Sequence, residues 1–418
     1  MAKLLAMRIT VMSAVVLFLA PCWMPASVLA QAKPTVPFES LFDGKTLVGF
    51  EQKGGKAAYS VEDGCIVGTT VPKTPNSFLC TKRHYGDFVL EYEFKVDGHL
   101  NSGVQIRSHS LPKYRKGRVH GYQVEIDPDV KRNRMWTAGI YDEARRGWLF
   151  DLKNNDAARK AFKPDAWNKI RVSAIGDSLK TWLNGVPAAD LVDSMTSSGF
   201  IALQVHGIGN KTEEMQVRWR NLRIQDLGRH EWQPLWDGKT MQGWTQHGGG
   251  KWAIENGVLT ARNQKAEKLH GHLFLDAPQR DFTIRLKYKA VQGNSGFYFR
   301  SKERKGAIGI AGFQAEIDAT KDVGGLYETG GRGWVVQPKP KQVAQYFKPG
   351  AWNQMTVSAH GRRIVVHVNG RKTAELPADK SRLGGKIALQ LHGSQDVEVH
   401  FKDIETLVAV APTRKPGR

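Results

Sequence analysis

The chain has 418 residues, with 61 Lys and Arg against 40 Asp and Glu, for a formal net charge of +21. That length suits two or three domains, each able to bury a core of its own. Past the N-terminus, no run approaches the roughly 20 apolar residues of a membrane-spanning helix, which excludes a membrane span from the expected architecture.

Residues 1–30 read as a secretory leader. Lys3 and Arg8 precede the apolar run Ile9 to Ala20, and Val28-Leu29-Ala30 forms a small-residue cleavage site before Gln31. Pro21 and Pro25 interrupt the run too early for an anchor. The mature chain is then expected in the periplasm or outside the cell, with a net charge of +21 − 2 = +19. A basic exported protein is expected to meet anionic surface polymers and acidic glycans rather than nucleic acid, and solubility alone is the other reading of the charge. The positive charge gathers in two loops, Lys113 to Arg118 and Lys302 to Lys305, which are expected to rim the sites described below.

Self-comparison shows a tandem duplication. Phe42-Asp43-Gly44-Lys45-Thr46 returns as Trp236-Asp237-Gly238-Lys239-Thr240, an offset of 237 − 43 = 194. Asn101-Ser102-Gly103 returns as Asn294-Ser295-Gly296, and Gln204 to Gly207 as Gln390 to Gly393, by which point the offset is 390 − 204 = 186. The loops therefore differ in length, chiefly after the strand that carries the acids. This places one domain at 38–228 and a second at 229–408, with a disordered tail at 409–418. Residues 31–37 are also expected to lack order, and the connection Leu227 to Glu231 is short enough for the domains to touch.

Within each unit the pattern is strand after strand. Phe88, Leu90, Tyr92 and Phe94 alternate with Val89, Glu91 and Glu93, and Ile364, Val366 and Val368 alternate before the turn Asn369-Gly370. The one helical candidate in the first unit is short, around Asn155 to Lys163. Cys65 and Cys80 fall on two strands expected to form a hairpin; both a disulfide and two buried thiols fit that placement. Many strands with little helix predict an all-β sandwich.

The polar residues share one side of three strands. In GYQVEID, Tyr122, Val124 and Ile126 point one way while Gln123, Glu125 and Asp127 point the other. The echo GFQAEID places Gln314, Glu316 and Asp318 alike. Gln105 and Arg107 follow Asn101, and Gln204 and His206 follow in a later strand; the second unit has Asn294, Tyr298, Arg300, Gln390 and His392. Tyr141, Arg146 and Trp148 recur as Tyr327, Arg332 and Trp334 in a Gly-rich loop suited to walling a sugar pocket. An arginine, two acids, amides and a histidine on one face form a candidate acid–base site.

The order LFDGKTL, YGDF, NSGVQIR, GYQVEID, AWNKIRV, LNG and IALQVHG resembles the bacterial 3-keto-disaccharide hydrolase domain family, over nearly all of both units. The resemblance implies two tandem concanavalin A-like jelly-roll β-sandwiches acting on glycosides whose sugar carries a 3-ketone, by hydrolysis or by elimination and hydration. Where the family commonly has an LQDHG-like stretch, this chain has Leu203-Gln204-Val205-His206-Gly207.

A C3 ketone acidifies the C2 proton, so the chemistry needs a base, an enolate stabiliser and a proton donor. Glu125 is the expected base, Arg107 or a divalent metal ion the stabiliser, and His206 or Asp127 the donor; Glu316, Arg300, His392 and Asp318 repeat the set. Both units are expected to be competent. Asn101, Gln105, Gln123, Tyr141, Arg146, Trp148 and Gln204, with their repeats, are expected to bind substrate. Two other readings stand beside this one. An ordinary retaining glycosidase would use the acids two positions apart on a strand, about 6.6 Å at the backbone, against the roughly 5.5 Å of a retaining pair. A lectin-like module would bind keto-glycoside or anionic glycan without chemistry.

Overall fold

The computed structural model describes residues 36–129 and 134–410. The expected leader and residues 31–35 lie outside the described residues, as do 411–418. From Pro37 onward the chain forms one compact unit. It is built from three antiparallel sheets, two of seven strands and one of fifteen. Helix is confined to short pieces, of which Asp156–Ala161 is where the sequence predicts it, with Asn155 as its N-cap accepting from Ala158 N at 3.1 Å.

Each seven-stranded sheet faces part of the long sheet across its own apolar core. In the first sandwich Tyr122, Val124 and Ile126 meet Phe94, Ile170 and Trp219. In the second, Phe313, Ala315 and Ile317 meet Leu286, Val357 and Phe401. These side chains are almost wholly removed from water, and each large one contributes about 1.5–3 kcal/mol. Both sandwiches are concanavalin A-like jelly rolls.

The long sheet is shared. Gln216–Pro234 is a single strand of 19 residues, so the expected linker Leu227 to Glu231 is extended and paired. Its first part pairs with Asp87–Val96 of the first sandwich, from Val217 opposite Val96 to Gly228 opposite Asp87. Its last part pairs with Val397–Val410, from Arg229 opposite Val410 to Pro234 opposite Glu405. The second strand thereby orders Ala409 and Val410, which the sequence reading assigned to a disordered tail.

Polar contacts close the seam between the sandwiches. Asp177 Oδ2 accepts from Thr283 Oγ1 at 2.6 Å and from Ser358 Oγ. Arg146 Nη1 donates to Gly370 O at 2.7 Å.

Cys65 and Cys80 differ from the hairpin expectation. Cys65 lies on Cys65–Thr69 in the long sheet, and Cys80 on Ser77–Thr81 in the first seven-stranded sheet. The strands sit in opposite layers, and both thiols are free and buried. Burial pushes the Cys80 thiol up to about 12.

Candidate active site

The three polar strands of the first unit are consecutive neighbours. His120–Ile126 pairs with Ser102–His109, which pairs with Phe200–Val205. Register places Glu125 opposite Gly103 and Gly103 opposite Gln204, so one row crosses the sheet. The glycine is required: a Cβ at 103 would lie 2.6 Å from Gln123 Cγ, which crosses above it.

Glu125 is 4% exposed and accepts from Asn101 Nδ2 at 2.8 Å and from Gln123 Nε2 at 2.9 Å, one on each oxygen. Gln123 Nε2 also reaches Gln204 Oε1 at 3.3 Å, and Gln123 Oε1 accepts from Gln105 Nε2. Burial pushes the Glu125 carboxyl up to about 8, although both amides favour the ionised form. Gln204 Nε2 is buried and has no partner among the described residues.

These groups line a cavity of about 520 Å³. Asp127 lies on its wall, with Oδ2 accepting from Arg134 Nε at 2.8 Å. Burial raises the Asp127 carboxyl and Arg134 opposes that rise. His206 Nδ1 lies 2.8 Å from Gly207 O. A carbonyl only accepts, so Nδ1 carries a proton and Nε2 is the nitrogen left for a substrate. Tyr141 and Trp148 form an aromatic wall in edge-to-face contact at 5.4 Å, as the sequence predicts for this loop.

Other expected members stand elsewhere. Arg107 is not on the polar face. A bulge between Ile106 and His109 gives it a φ of 46° and breaks the two-residue alternation. Its side chain turns inward, where Nε donates to Gly86 O and Nη1 to Gly176 O, at 2.7 and 2.6 Å. Gln105 is fully buried behind Gln123. Arg146 holds Asp193 through Nη1 and Nη2 at 2.8 and 3.1 Å and belongs to the seam. Of the basic loop 113–118, Arg118 lines the cavity, paired with Glu143 at 3.0 Å.

The cavity also holds residues the sequence reading missed, among them Asn76, Arg134, Glu143 and Lys211. Arg134 lies over Trp136 at 4.9 Å and Trp148 at 5.5 Å. Arg134 and Lys211 sit in loops that the second unit shortens, so the repeat gave no sign of them; the shrinking offset was the available signal.

The second unit repeats the row and alters its surroundings. Glu316 lies opposite Gly296, and Gly296 opposite Gln390. Burial pushes the Glu316 carboxyl up to about 8, and Asn294 donates to it. His392 Nδ1 lies 2.6 Å from Gly393 O. Gln390 Nε2, however, is 3.1 Å from His270 Nδ1, at the position matching Asn76, so this amide already has a partner. Asp318 Oδ1 accepts from Thr320 N at 2.7 Å and Lys321 N at 3.0 Å in its own loop, while Oδ2 accepts at 3.3 Å from Asn294 Nδ2, the amide that also donates to Glu316. Arg300 has a φ of 46° and turns inward as Arg107 does. Tyr298 is buried and bonded to Thr329. Arg332 pairs with Asp379 at 2.7 Å. Tyr327, beside Gln314, meets Trp334 edge-on at 5.3 Å.

Among the described residues no group of three or more His, Cys, Asp or Glu side chains is placed to hold a metal ion. The Glu125 oxygens are instead met by amide donors.

A family model described as a 3-keto-alpha-glucoside-1,2-lyase-like domain matches residues 37–225 and again 231–406. The chain belongs to that family. It is a carbohydrate-active family by its description, and both matches run through an acid row of the kind described above. No curated protein matches the chain. Among solved structures, one from Parabacteroides distasonis, described as a candidate glycosyl hydrolase, is 20% identical with a TM-score of 0.33. It covers 46% of this chain and 94% of its own. A carbohydrate-binding module from Bacillus subtilis is 19% identical with a TM-score of 0.31, covering 39% and 93%. The kappa-carrageenase of Pseudoalteromonas carrageenovora is 12% identical with a TM-score of 0.30, covering 43% and 96%.

Proposed function

We propose that the first sandwich of this 3-keto-alpha-glucoside-1,2-lyase-like protein cleaves 3-keto-glycosides, with Glu125 as the base. One observation carries the reading. A buried carboxyl raised to about 8 shares a polar cavity with a buried amide donor, Gln204 Nε2, that has no partner among the described residues. A base of that strength suits a proton next to a ketone, and an unused donor suits the charge that forms on the ketone oxygen.

In this reading Glu125 takes the C2 proton and Gln204 Nε2 donates to the enolate oxygen at C3. The C1–O bond then breaks as the C1=C2 bond forms. The departing oxygen takes a proton from His206 Nε2 in its imidazolium form. Hydration reverses the transfers: His206 accepts a proton from water, hydroxide adds at C1, and Glu125 returns its proton to C2. The net result is addition of one water across the glycosidic bond. Tyr141 and Trp148 give the sugar ring an apolar wall. Gln204 thus takes the stabilising role that the sequence reading gave to Arg107, and Arg134 is paired with Asp127 on the cavity wall. With export as expected from the leader, the substrate is met outside the cytoplasm.

Product analysis by NMR on a matched glucoside and 3-keto-glucoside tests the proposal. Turnover of the ketone alone is expected. Cleavage of the plain glucoside would select the retaining-glycosidase reading, and binding of both without turnover would select the lectin-like one.

A further inference from the structure

Arg107 and Arg300 occupy matching bulges and are both almost wholly buried, but their guanidinium groups are not equally satisfied. Arg107 uses all three nitrogens, the third being Nη2 on Asp87 Oδ1 at 3.1 Å. Arg300 Nη2 donates to Gly361 O at 2.7 Å, and the acid matching Asp87, Asp281, lies 4.0 Å away. Arg300 Nε and Nη1 are buried with no partner among the described residues. A buried cation with two unused donors is costly unless something else meets it.

Arg300 forms part of the wall of a cavity of about 250 Å³, together with Lys302, Arg304, Ser381 and Arg382. Lys302, Arg304 and Arg382 are exposed, and none of them forms an ion pair among the described residues. The one acid in this wall, Glu328, is engaged by Arg332. In the first sandwich the positions matching Lys302 and Arg382 are His109 and Thr196, and the loop matching that of Arg304 is the basic loop 113–118, whose Arg118 lines the acid cavity instead. In the second copy Lys302, Arg304 and Arg382 line the same cavity as the buried guanidinium that has donors to spare.

We propose that this cavity is a binding site for a tetrahedral oxyanion, a phosphate or sulfate group, free or as an ester on a glycan. Guanidinium groups match the geometry of such oxygens through paired N–H donors. The site is separate from Glu316. Arg300 stands four residues along its strand from Gly296, the partner of Glu316, which is roughly 13 Å at 3.3 Å per residue.

Isothermal titration of the full chain with sodium sulfate and with inorganic phosphate, against chloride at matched ionic strength, tests this. Titration is preferred to a melting shift because sulfate stabilises proteins in general. Saturable binding is expected, and Arg304→Ser with Arg382→Ser should weaken it about ten-fold or more, since hydrogen bonds to charged groups are worth ~1.5–3 kcal/mol each. Both residues are exposed and unpaired, so the fold is kept, whereas Arg300→Gln removes a buried group. Lys113→Ser with Arg115→Ser, in the other basic loop, should leave affinity unchanged. A sulfated oligosaccharide that displaces sulfate, when its unsulfated parent does not, places the group on a glycan; binding of the inorganic ion without that displacement supports the free ion. Absence of saturable binding, or equal affinity in the Arg304/Arg382 variant and the wild type, would overturn the site.

Discussion

Replacing Glu125 with Gln changes stability and chemistry in separable ways. Glu125 is 4% exposed, and burial lifts its carboxyl from 4.5 to about 8. Because the folded value is the raised one, the native chain keeps a proton that the unfolded chain has released. Stability from this group is fully present below about pH 4.5 and is lost as the pH rises through about 8. Each pH unit in that window is worth about 1.4 kcal/mol. Between pH 5 and pH 8 the wild type should thus lose about 4 kcal/mol on account of Glu125 alone. Glu316 is raised to the same value for the same reason, but it is present in both proteins and cancels from the comparison. Urea unfolding at the two pH values should therefore show Glu125→Gln gaining about 4 kcal/mol on the wild type across the interval. An identical difference at pH 5 and pH 8 would refute a buried, proton-holding carboxyl. The same variant should lose about 10²- to 10⁴-fold in kcat/KM on a 3-keto-glucoside.

Gln204→Leu removes the free donor and should lower kcat about 10²- to 10³-fold with little change in KM, as read from steady-state kinetics; a change confined to KM would contradict the enolate role. Glu316→Gln should leave keto-glucoside turnover unchanged, because the second unit's amide is held by His270; a loss comparable to that of Glu125→Gln would show two working sites. Arg146→Met should cost about 3–5 kcal/mol in chemical unfolding, since it leaves Asp193 buried without its main partner. Reductant should not shift the melting temperature, and thiol titration should find Cys65 and Cys80 only after denaturation, because they are free, buried and in opposite layers.

The acid row was legible because it rests on strand alternation. Gln123, Glu125, Gln204 and His206 stand where a period of two puts them, and the tandem copy marks them out. Arg107 and Arg300 were misplaced by the same rule, because a bulge with positive φ reverses the side-chain direction and no residue type announces it. Arg146 and Arg332 show a second limit. Both copies keep them, yet each is tied to an acid of the outer layer, Asp193 or Asp379, so recurrence here reflects a structural ion pair. Arg134 and Lys211 show the reverse. They line the cavity but occur in one copy, so a search for shared residues passes over them. The shared sheet was hidden for another reason: Leu227 to Glu231 reads as a connection, and its partners, Asp87 at Gly228 and Val397–Val410 from Arg229 onward, make it a strand.

The two copies also differ in which buried polar groups are left open, and that difference is the ground on which the two proposals assign them separate tasks. In the first sandwich Arg107 is fully bonded, and Gln204 Nε2, in the acid cavity, is among the buried donors without a partner, beside Tyr92, Trp136 and Trp219. In the second, Gln390 is bonded to His270, and Arg300 Nε and Nη1, toward the other end of the sheet, are among the unpaired groups, beside Trp252, His272 and Tyr288. A buried donor without a partner costs about 1–3 kcal/mol, so each copy carries a destabilising feature that its twin has resolved. The shared carboxyls do not distinguish the copies, since burial raises Glu125 and Glu316 alike. The donors do, and on them rest the two proposals, chemistry on a neutral keto-sugar in the first sandwich and capture of an anion in the second.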